Sequence, residues 1–177
     1  MKNIECEERV MIDFDQYTKL VAAYVSIDPN FRILSIENIY LDDEELSLRK
    51  RHDVLRIRNT NGHLELTLKV KGIDGDIEIN ETPEKHPEID KKLEKPFARY
   101  HEIARLKTNR IEANEKDYLV VIDQNMYNGI IDYDLEVEAS SLEKAKSAIK
   151  DICQRFSLEY KNGYQSKISR ALKTKKN

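Results

Sequence analysis

Charged side chains recur at every second position in several short segments of this chain. Glu5, Glu7 and Arg9 alternate with other residues near the beginning, and an acidic run, Asp132-Tyr133-Asp134-Leu135-Glu136-Val137-Glu138, lies near the end. Because successive side chains of a β-strand point to opposite faces, this spacing predicts strands with one charged and one apolar face. Basic residues with the same spacing lie between the acidic segments, at Arg56, Arg58, Lys69 and Lys71.

Two interpretations of the charged faces are open. Antiparallel sheets commonly expose one face to water, and alternating charge is typical of such a face. However, like charges such as Arg56 and Arg58 share a face, which is destabilising unless groups of opposite sign lie between them. If the sheet closes into a barrel with its charged faces inward, carboxylates and cations line one lumen. Carboxylates bind hard divalent cations and Arg and Lys bind phosphate oxygens, so this lumen would suit a metal-chelated polyphosphate.

The composition argues against several other classes of protein. The 177 residues contain 30 Lys and Arg against 33 Asp and Glu, and 36% are charged, compared with about 25% in an average domain. No segment has the roughly 18 apolar residues of a membrane span, and no secretion signal precedes Val10, so we expect a cytoplasmic protein without a membrane partner. Two cysteines are too few for a disulfide framework, and five glycines do not provide a glycine-rich phosphate loop. The absence of tryptophan removes the best stacking platform for a base. The basic end of the chain is interpreted as solvated, and no nucleic-acid partner is expected.

Hydrophobic periodicity predicts a single α+β domain over residues 1–177, built on a mostly antiparallel sheet. Asn61-Gly62 and Asn128-Gly129 are typical of tight hairpin turns. Ser140 and Glu143 form a capping-box pattern at the start of a helix. The predicted strands cover 4–12, 31–42, 54–59, 64–71, 76–80, 105–112, 118–124 and 130–138, and the predicted helices cover 13–27, 140–156 and 164–172, with proline-broken helical pieces across 82–103.

The motifs that carry the charges resemble those of the CYTH superfamily, the triphosphate tunnel metalloenzymes, across nearly the whole chain. Glu5-Cys6-Glu7-Glu8-Arg9 resembles the family's Glu-x-Glu-x-Lys signature, with Arg9 in place of the lysine. Arginine keeps the positive charge but is not deprotonated, so a phosphate-binding role is retained and an acid–base role is not expected. The other matching motifs are Tyr40-Leu41-Asp42, Leu55-Arg56-Ile57-Arg58, Thr67-Leu68-Lys69, Thr108-x-Arg110, Ile122-Asp123, the run at 132–138, and Ser166-Lys167 with Arg170.

This resemblance implies an eight-stranded antiparallel β-barrel, a tunnel that binds triphosphates together with Mg²⁺ or Mn²⁺. The implied catalytic residues are Glu5 and Glu7, either of which would position the attacking water. The implied metal ligands are Glu5, Glu7, Asp123, Glu136 and Glu138. The implied substrate-binding residues are Arg9, Arg56, Arg58, Lys69, Arg110 and Lys167.

The favoured function is metal-dependent hydrolysis of a triphosphate, with inorganic triphosphate as the simplest substrate. The short bacterial branch that the chain resembles most is often labelled adenylate cyclase, so an enzyme that makes cyclic AMP from ATP is a second interpretation. Hydrolysis of thiamine triphosphate and non-catalytic binding of polyphosphate or a nucleotide are also left open. The expected partner is a triphosphate-containing small molecule, and a homodimer is left open. Glu136→Gln is expected to abolish metal-dependent turnover with the fold intact.

Overall fold

Eight β-strands and five α-helices make up the described part of the protein. The computed structural model describes residues 2–72, 76–161 and 165–174, with side chains from Cys6 onward. The strands are β1 (Lys2–Ile12), β2 (Arg32–Asp42), β3 (Val54–Thr60), β4 (His63–Val70), β5 (Asp76–Glu81), β6 (His101–Glu115), β7 (Tyr118–Tyr127) and β8 (Ile130–Ala139). The helices are α1 (Phe14–Ile27), α2 (Ser47–Lys50), α3 (Pro87–Asp90), α4 (Leu142–Phe156) and α5 (Lys167–Lys173), and a 3-10 turn covers Phe97–Arg99.

The strands form one closed antiparallel barrel in the order β1-β5-β4-β3-β2-β6-β7-β8. Strand β1 closes the barrel because it pairs with β5 through its first residues and with β8 through its later ones. The backbone of Glu5 lies opposite Asp76, and Arg9 lies opposite Glu136. The predicted α+β fold with an eight-stranded antiparallel barrel is therefore confirmed.

The two predicted Asn-Gly turns set the registers of two hairpins. Asn61 and Gly62 have φ angles of 51° and 93°, and Asn128 and Gly129 have φ angles of 49° and 78°. These left-handed conformations favour glycine and are tolerated by asparagine, and they match the twist of the flanking strands. The hairpins β3–β4 and β7–β8 are thereby held in register.

Strand β6 is longer than the sequence predicts. It begins at His101, whereas the prediction places helical pieces up to residue 103 and a strand from residue 105. The first residues of β6 pair with the end of β2, where His101 lies opposite Asp42 after a register shift between Tyr40 and Leu41. Ile103 is buried in a cluster with Tyr40, Leu106 and Ala171, so tertiary contact overrides the local pattern.

Helices cover the apolar outer faces of the barrel. Helix α1 begins at a capping box in which Asp13 accepts a 2.8 Å hydrogen bond from the amide of Gln16. The N-cap of α4 is Ser141, one residue later than predicted, and its hydroxyl accepts from the amide of Lys144. The side chains of α1 and α4 form a core with β1, β6, β7 and β8 that includes Val10, Leu20, Tyr24, Val120, Ile122, Leu135, Val137, Ile149 and Ile152.

Helix α5 packs at the end of the barrel that holds the β7–β8 turn. Asn128 Nδ2 in that turn donates a 2.7 Å hydrogen bond to the carbonyl of Ala171. Ala171 is buried with Tyr40, Leu106 and Tyr127. The described helix begins at Lys167; residue 164, where the sequence predicts its start, lies outside the described residues. This position directs two cations of α5 into the barrel.

Candidate active site

A cavity of about 650 Å³ opens into the barrel and is lined by charged side chains. Contacts between strands that are not neighbours establish that these side chains point inward. Lys69 Nζ on β4 lies 3.4 Å from Glu7 Oε1 on β1, and Arg110 Nη2 on β6 lies 3.3 Å from Glu136 Oε2 on β8. The predicted charged lumen is therefore confirmed. Its lining includes Glu7, Arg9, Arg56, Arg58, Lys69, Arg110, Glu136, Glu138 and Lys167.

Three glutamates, Glu7, Glu136 and Glu138, form what we call the outer acidic group. One carboxylate oxygen from each lies within 4.8 Å of the others. Strands β1 and β8 position them, since Glu7 lies directly opposite Glu138 in the ladder. The side chain of Glu7 is 30% exposed and that of Glu136 is 2% exposed. The outer acidic group therefore extends from a buried carboxylate to one that solvent can reach. Convergent carboxylate oxygens suit hard divalent cations such as Mg²⁺ and Mn²⁺.

A second cluster, the inner acidic group, contains Asp123, Asp134 and Glu136, all of them buried. Lys167 of α5 reaches all three carboxylates. Its Nζ contacts Asp123 Oδ2, and it lies 2.9 Å from Glu136 Oε1 and 3.5 Å from Asp134 Oδ1. Arg110 adds a bidentate pair to Asp123, at 2.9 and 2.8 Å. The inner acidic group is therefore compensated by cations of the protein itself.

Two further arginines flank these carboxylates. Arg9 pairs with Glu136 and lies 3.6 Å from Glu7 Oε1, so it stands between the two acidic groups. Arg170 Nη2 lies 2.5 Å from Asp134 Oδ2, and its Nε lies 2.9 Å from Asp132. Arg170 belongs to the matching motif Ser166-Lys167 with Arg170, but the motif implied no separate role for it.

These ion pairs shift the pKa values of the buried carboxylates in different directions. Burial opposes ionisation of all three, but the adjacent cations hold the pKa of Asp123 below its ordinary value and that of Glu136 well below it. For Asp134 burial prevails, and its pKa is raised. The pKa of Lys167 is raised because its three carboxylate partners outweigh its burial. The inner acidic group is thus an ionic network in which Asp134 is the carboxylate most easily protonated.

The opposite side of the cavity carries Arg56, Arg58 and Lys69, which we call the cationic wall. Arg56 Nη2 lies 3.8 Å from Glu78, and Lys69 lies 3.4 Å from Glu7. Arg58 Nε donates a 3.1 Å hydrogen bond to Asn38. Within the described residues, no carboxylate oxygen lies within 4.0 Å of the Arg58 guanidinium. Burial and the nearby charges of Arg56 and Arg110 lower the pKa of Arg58 to about 10.

A loop after β2 borders the cavity and is organised by Asp42. The buried carboxylate of Asp42 accepts hydrogen bonds from the amides of Asp43, Leu48 and Arg49, at 2.9, 3.1 and 3.0 Å. The bonds from Leu48 and Arg49 satisfy amides at the start of α2, whose N-cap supplies no side-chain bond. The motif Tyr40-Leu41-Asp42 therefore acts here through loop structure, and it places Arg49 at the cavity.

The structure brings together most of the site residues that the sequence predicted. Glu7, Glu136 and Glu138 converge, and Arg56, Arg58 and Lys69 face the cavity. The predicted phosphate ligands Arg9, Arg110 and Lys167 also line it, but each is paired with carboxylates. The side chain of Glu5 lies outside the described residues, and Asp123 belongs to the inner acidic group.

The profile of the CYTH domain matches residues 3–171, and the chain therefore belongs to the CYTH domain family. A curated protein of Bacillus subtilis (strain 168), named "Putative triphosphatase YjbK", is 26% identical over 173 residues, which cover 89% of this chain and 88% of that protein.

Solved structures share the fold. The crystal structure of a protein described as a putative adenylate cyclase from Bacillus halodurans superposes with a TM-score of 0.83 at 24% identity and covers 96% of this chain and 97% of that one. The protein HpAC1 from Hippeastrum, described as a putative adenylyl cyclase with a dominant triphosphatase activity, superposes with a TM-score of 0.74 at 17% identity and covers 100% of this chain and 98% of that one. None of the helices in the described residues has the length and apolar composition needed to span a membrane.

Proposed function

We propose that this protein hydrolyses a triphosphate with the help of Mg²⁺ or Mn²⁺, and that inorganic triphosphate is its substrate. The observation that carries the proposal is the arrangement of the outer acidic group and the cationic wall around one cavity. Two relatives named or described as having triphosphatase activity support it. A cytoplasmic location is proposed on the sequence alone.

The outer acidic group would hold the metal. Glu7, Glu136 and Glu138 offer three converging oxygens, and Glu5, two residues before Glu7 on the same strand, would add a fourth carboxylate. A divalent ion bound there supplies charge neutralisation and polarisation of a phosphoryl oxygen. Glu7 lines the cavity and its side chain is 30% exposed, so it is suited to accept a hydrogen bond from the attacking water.

The cationic wall would hold the phosphates. Arg58 has no carboxylate ion pair among the described residues, and Arg56 has only one at 3.8 Å, so both guanidinium groups have donors that phosphate oxygens can satisfy. Preorganised cations lower the barrier because they stabilise charge that develops on the phosphoryl oxygens. Tyr40 is the single Phe, Tyr or Trp side chain among the described residues that line the cavity, which favours inorganic triphosphate over a substrate with a stacked base.

One assay separates this proposal from the alternatives. The protein is incubated with Mg²⁺ or Mn²⁺ and, separately, with inorganic triphosphate, ATP and thiamine triphosphate, and phosphate, pyrophosphate and cyclic AMP are measured. We expect phosphate and pyrophosphate from inorganic triphosphate. Cyclic AMP with pyrophosphate from ATP would identify a cyclase instead, and tight binding without turnover would identify a binding domain.

A variant of the outer acidic group tests the metal assignment. Glu138→Gln keeps the shape of the side chain and removes one charged ligand, so turnover should fall about 10- to 100-fold at low metal and recover in part at high metal. Glu143→Gln in the exposed first turn of α4 makes the same change away from the cavity and should leave turnover unchanged. Equal activity of Glu138→Gln and the unmodified protein would contradict the assignment.

A further inference from the structure

The inner acidic group has the donor set of a metal site, but a cation of the chain already lies at its centre. Its three carboxylates each offer an oxygen within 4.8 Å of the others. Lys167 Nζ contacts an oxygen of every one, at up to 3.5 Å. Because a divalent ion would need these same oxygens at roughly 2.0–2.6 Å, it cannot occupy the centre together with the ammonium group.

The ammonium group of Lys167 is directed at this cluster. It donates a hydrogen bond to Asp123 and lies at ion-pair distance from Glu136 and Asp134. Its charge is therefore compensated by carboxylates of the protein and does not depend on a phosphate. This arrangement differs from that of Arg58, whose guanidinium faces the cavity without a carboxylate ion pair among the described residues.

Lys167 is one of four cations that pair with the carboxylates of the cluster. The inner acidic group and Asp132 contribute four carboxylates, and the cations are Arg9, Arg110, Lys167 and Arg170. Two of these cations are shared with other carboxylates, since Arg9 also pairs with Glu7 and Arg110 with Glu112. Removal of the lysine charge would therefore leave excess negative charge in a buried site, and such a charge strongly attracts a replacement cation.

We propose that the ammonium group of Lys167 is the resident cation of the inner acidic group. This group therefore binds no divalent ion while Lys167 is in place. In addition, Lys167 positions Glu136 for the outer acidic group. Glu136 belongs to both groups, so its carboxylate is held from the inner side by Lys167 and Arg110 and is shared with the metal on the outer side. Only this last part rests on the proposed function.

Counting bound Mn²⁺ ions tests the proposal without any use of activity. Free Mn²⁺ is measured by electron paramagnetic resonance during titration of the full chain. Lys167→Met should bind one more Mn²⁺ per chain than the unmodified protein, because the vacated carboxylates then take a divalent ion. Lys167→Arg, which keeps the charge, should bind the unmodified number. Lys173→Met removes a charge from an exposed position of the same helix and should also leave the number unchanged.

A second variant tests the same point with Lys167 in place. Asp123→Asn should leave the number of bound Mn²⁺ ions as in the unmodified protein, because the inner acidic group binds none. Loss of one Mn²⁺ in Asp123→Asn would overturn the proposal, and so would an unchanged number in folded Lys167→Met. Circular dichroism establishes which variants are folded.

A measurement on the unmodified protein covers the case in which the variants do not fold. A buried ammonium group held by ion pairs exchanges its protons slowly, so the Lys167 resonance should be visible by NMR and persist when Mg²⁺ is added. Disappearance of that resonance with Mg²⁺ would mean that the metal displaces Lys167, and the proposal would be wrong. If the Mn²⁺ counts follow expectation but no triphosphate is hydrolysed, the proposed function fails and the assignment of Lys167 stands.

Discussion

Replacement of Arg58 with methionine should stabilise the ligand-free protein and weaken its binding of triphosphate. The reason is that Arg58 carries a charge without a carboxylate ion pair among the described residues, beside two other arginines. The charged form of Arg58 is less favourable here than in water, because burial and the charges of Arg56 and Arg110 lower its pKa to about 10. An anion in the cavity would supply the missing compensation.

The magnitude follows from that pKa. At about 1.4 kcal/mol per pKa unit, the charge of Arg58 costs roughly 3 kcal/mol of folding free energy. The hydrogen bond to Asn38 contributes about 1 kcal/mol in the opposite direction and is lost in the variant. The net gain of about 2 kcal/mol corresponds to a rise in Tm of roughly 4–8 °C for a chain of this size. Loss of a charged hydrogen bond to phosphate, worth about 1.5–3 kcal/mol, should weaken triphosphate binding about 10- to 100-fold.

Thermal unfolding with and without inorganic triphosphate measures both effects. Arg58→Met should unfold at a higher temperature than the unmodified protein, and triphosphate should raise its Tm less. The matched control is Arg105→Met, since Arg105 forms exposed ion pairs with Glu102 and Glu37 outside the cavity and its loss should change either quantity little. A variant at Arg58 that is destabilised, or that binds triphosphate as tightly as the unmodified protein, would refute the reasoning.

Two further predictions concern the loop after β2 and the end of the barrel that holds the β7–β8 turn. Asp42→Ala should lower the free energy of unfolding in urea by about 1–3 kcal/mol, because three amide groups lose their buried acceptor, and an unchanged midpoint would contradict the capping role. Burial and a hydrogen bond to Asp132 raise the pKa of Tyr127 to about 12. The stability that this phenol contributes should therefore be complete below about pH 10, the unfolded-state pKa, and lost as the pH rises through 12. The difference in free energy of unfolding between the unmodified protein and Tyr127→Phe, measured over that pH range, isolates the contribution of the phenol. Parallel curves of unfolding free energy against pH would contradict the raised pKa of Tyr127.

The strands and the direction of their charged faces were predictable because a period of two is a local property of the sequence. Once the barrel closes, the spacing alone places Glu7 and Lys69 inside. The partners of each inward cation were not predictable, since they depend on distances across the lumen and on where α5 packs. Lys167 illustrates this: the motif containing it implied a phosphate ligand, whereas its distances to three carboxylates are a tertiary result.

For the same reason, Glu136→Gln is now expected to destabilise the fold, whereas the sequence alone predicted an intact fold. Glu136 lies against Arg9, Arg110 and Lys167, so neutralising it leaves buried cations without their partner. Breaking such a buried network typically costs about 3–5 kcal/mol. Glu138, which is only partly buried, is therefore the better position for separating metal binding from stability.

The closure of the barrel by β1 has a consequence for the rate of folding. The ion pair between Arg9 and Glu136 joins residues 127 positions apart, and β1 also pairs with β5 across some 70 residues. Contacts of such long sequence separation require the entropy of large loops to be lost early, which slows folding to the millisecond-to-second range typical of high contact order. Until β1 is seated, the edges of β5 and β8 have unpaired backbone groups, and a chain at that stage can pair with another copy. Refolding yield should therefore decline as protein concentration rises.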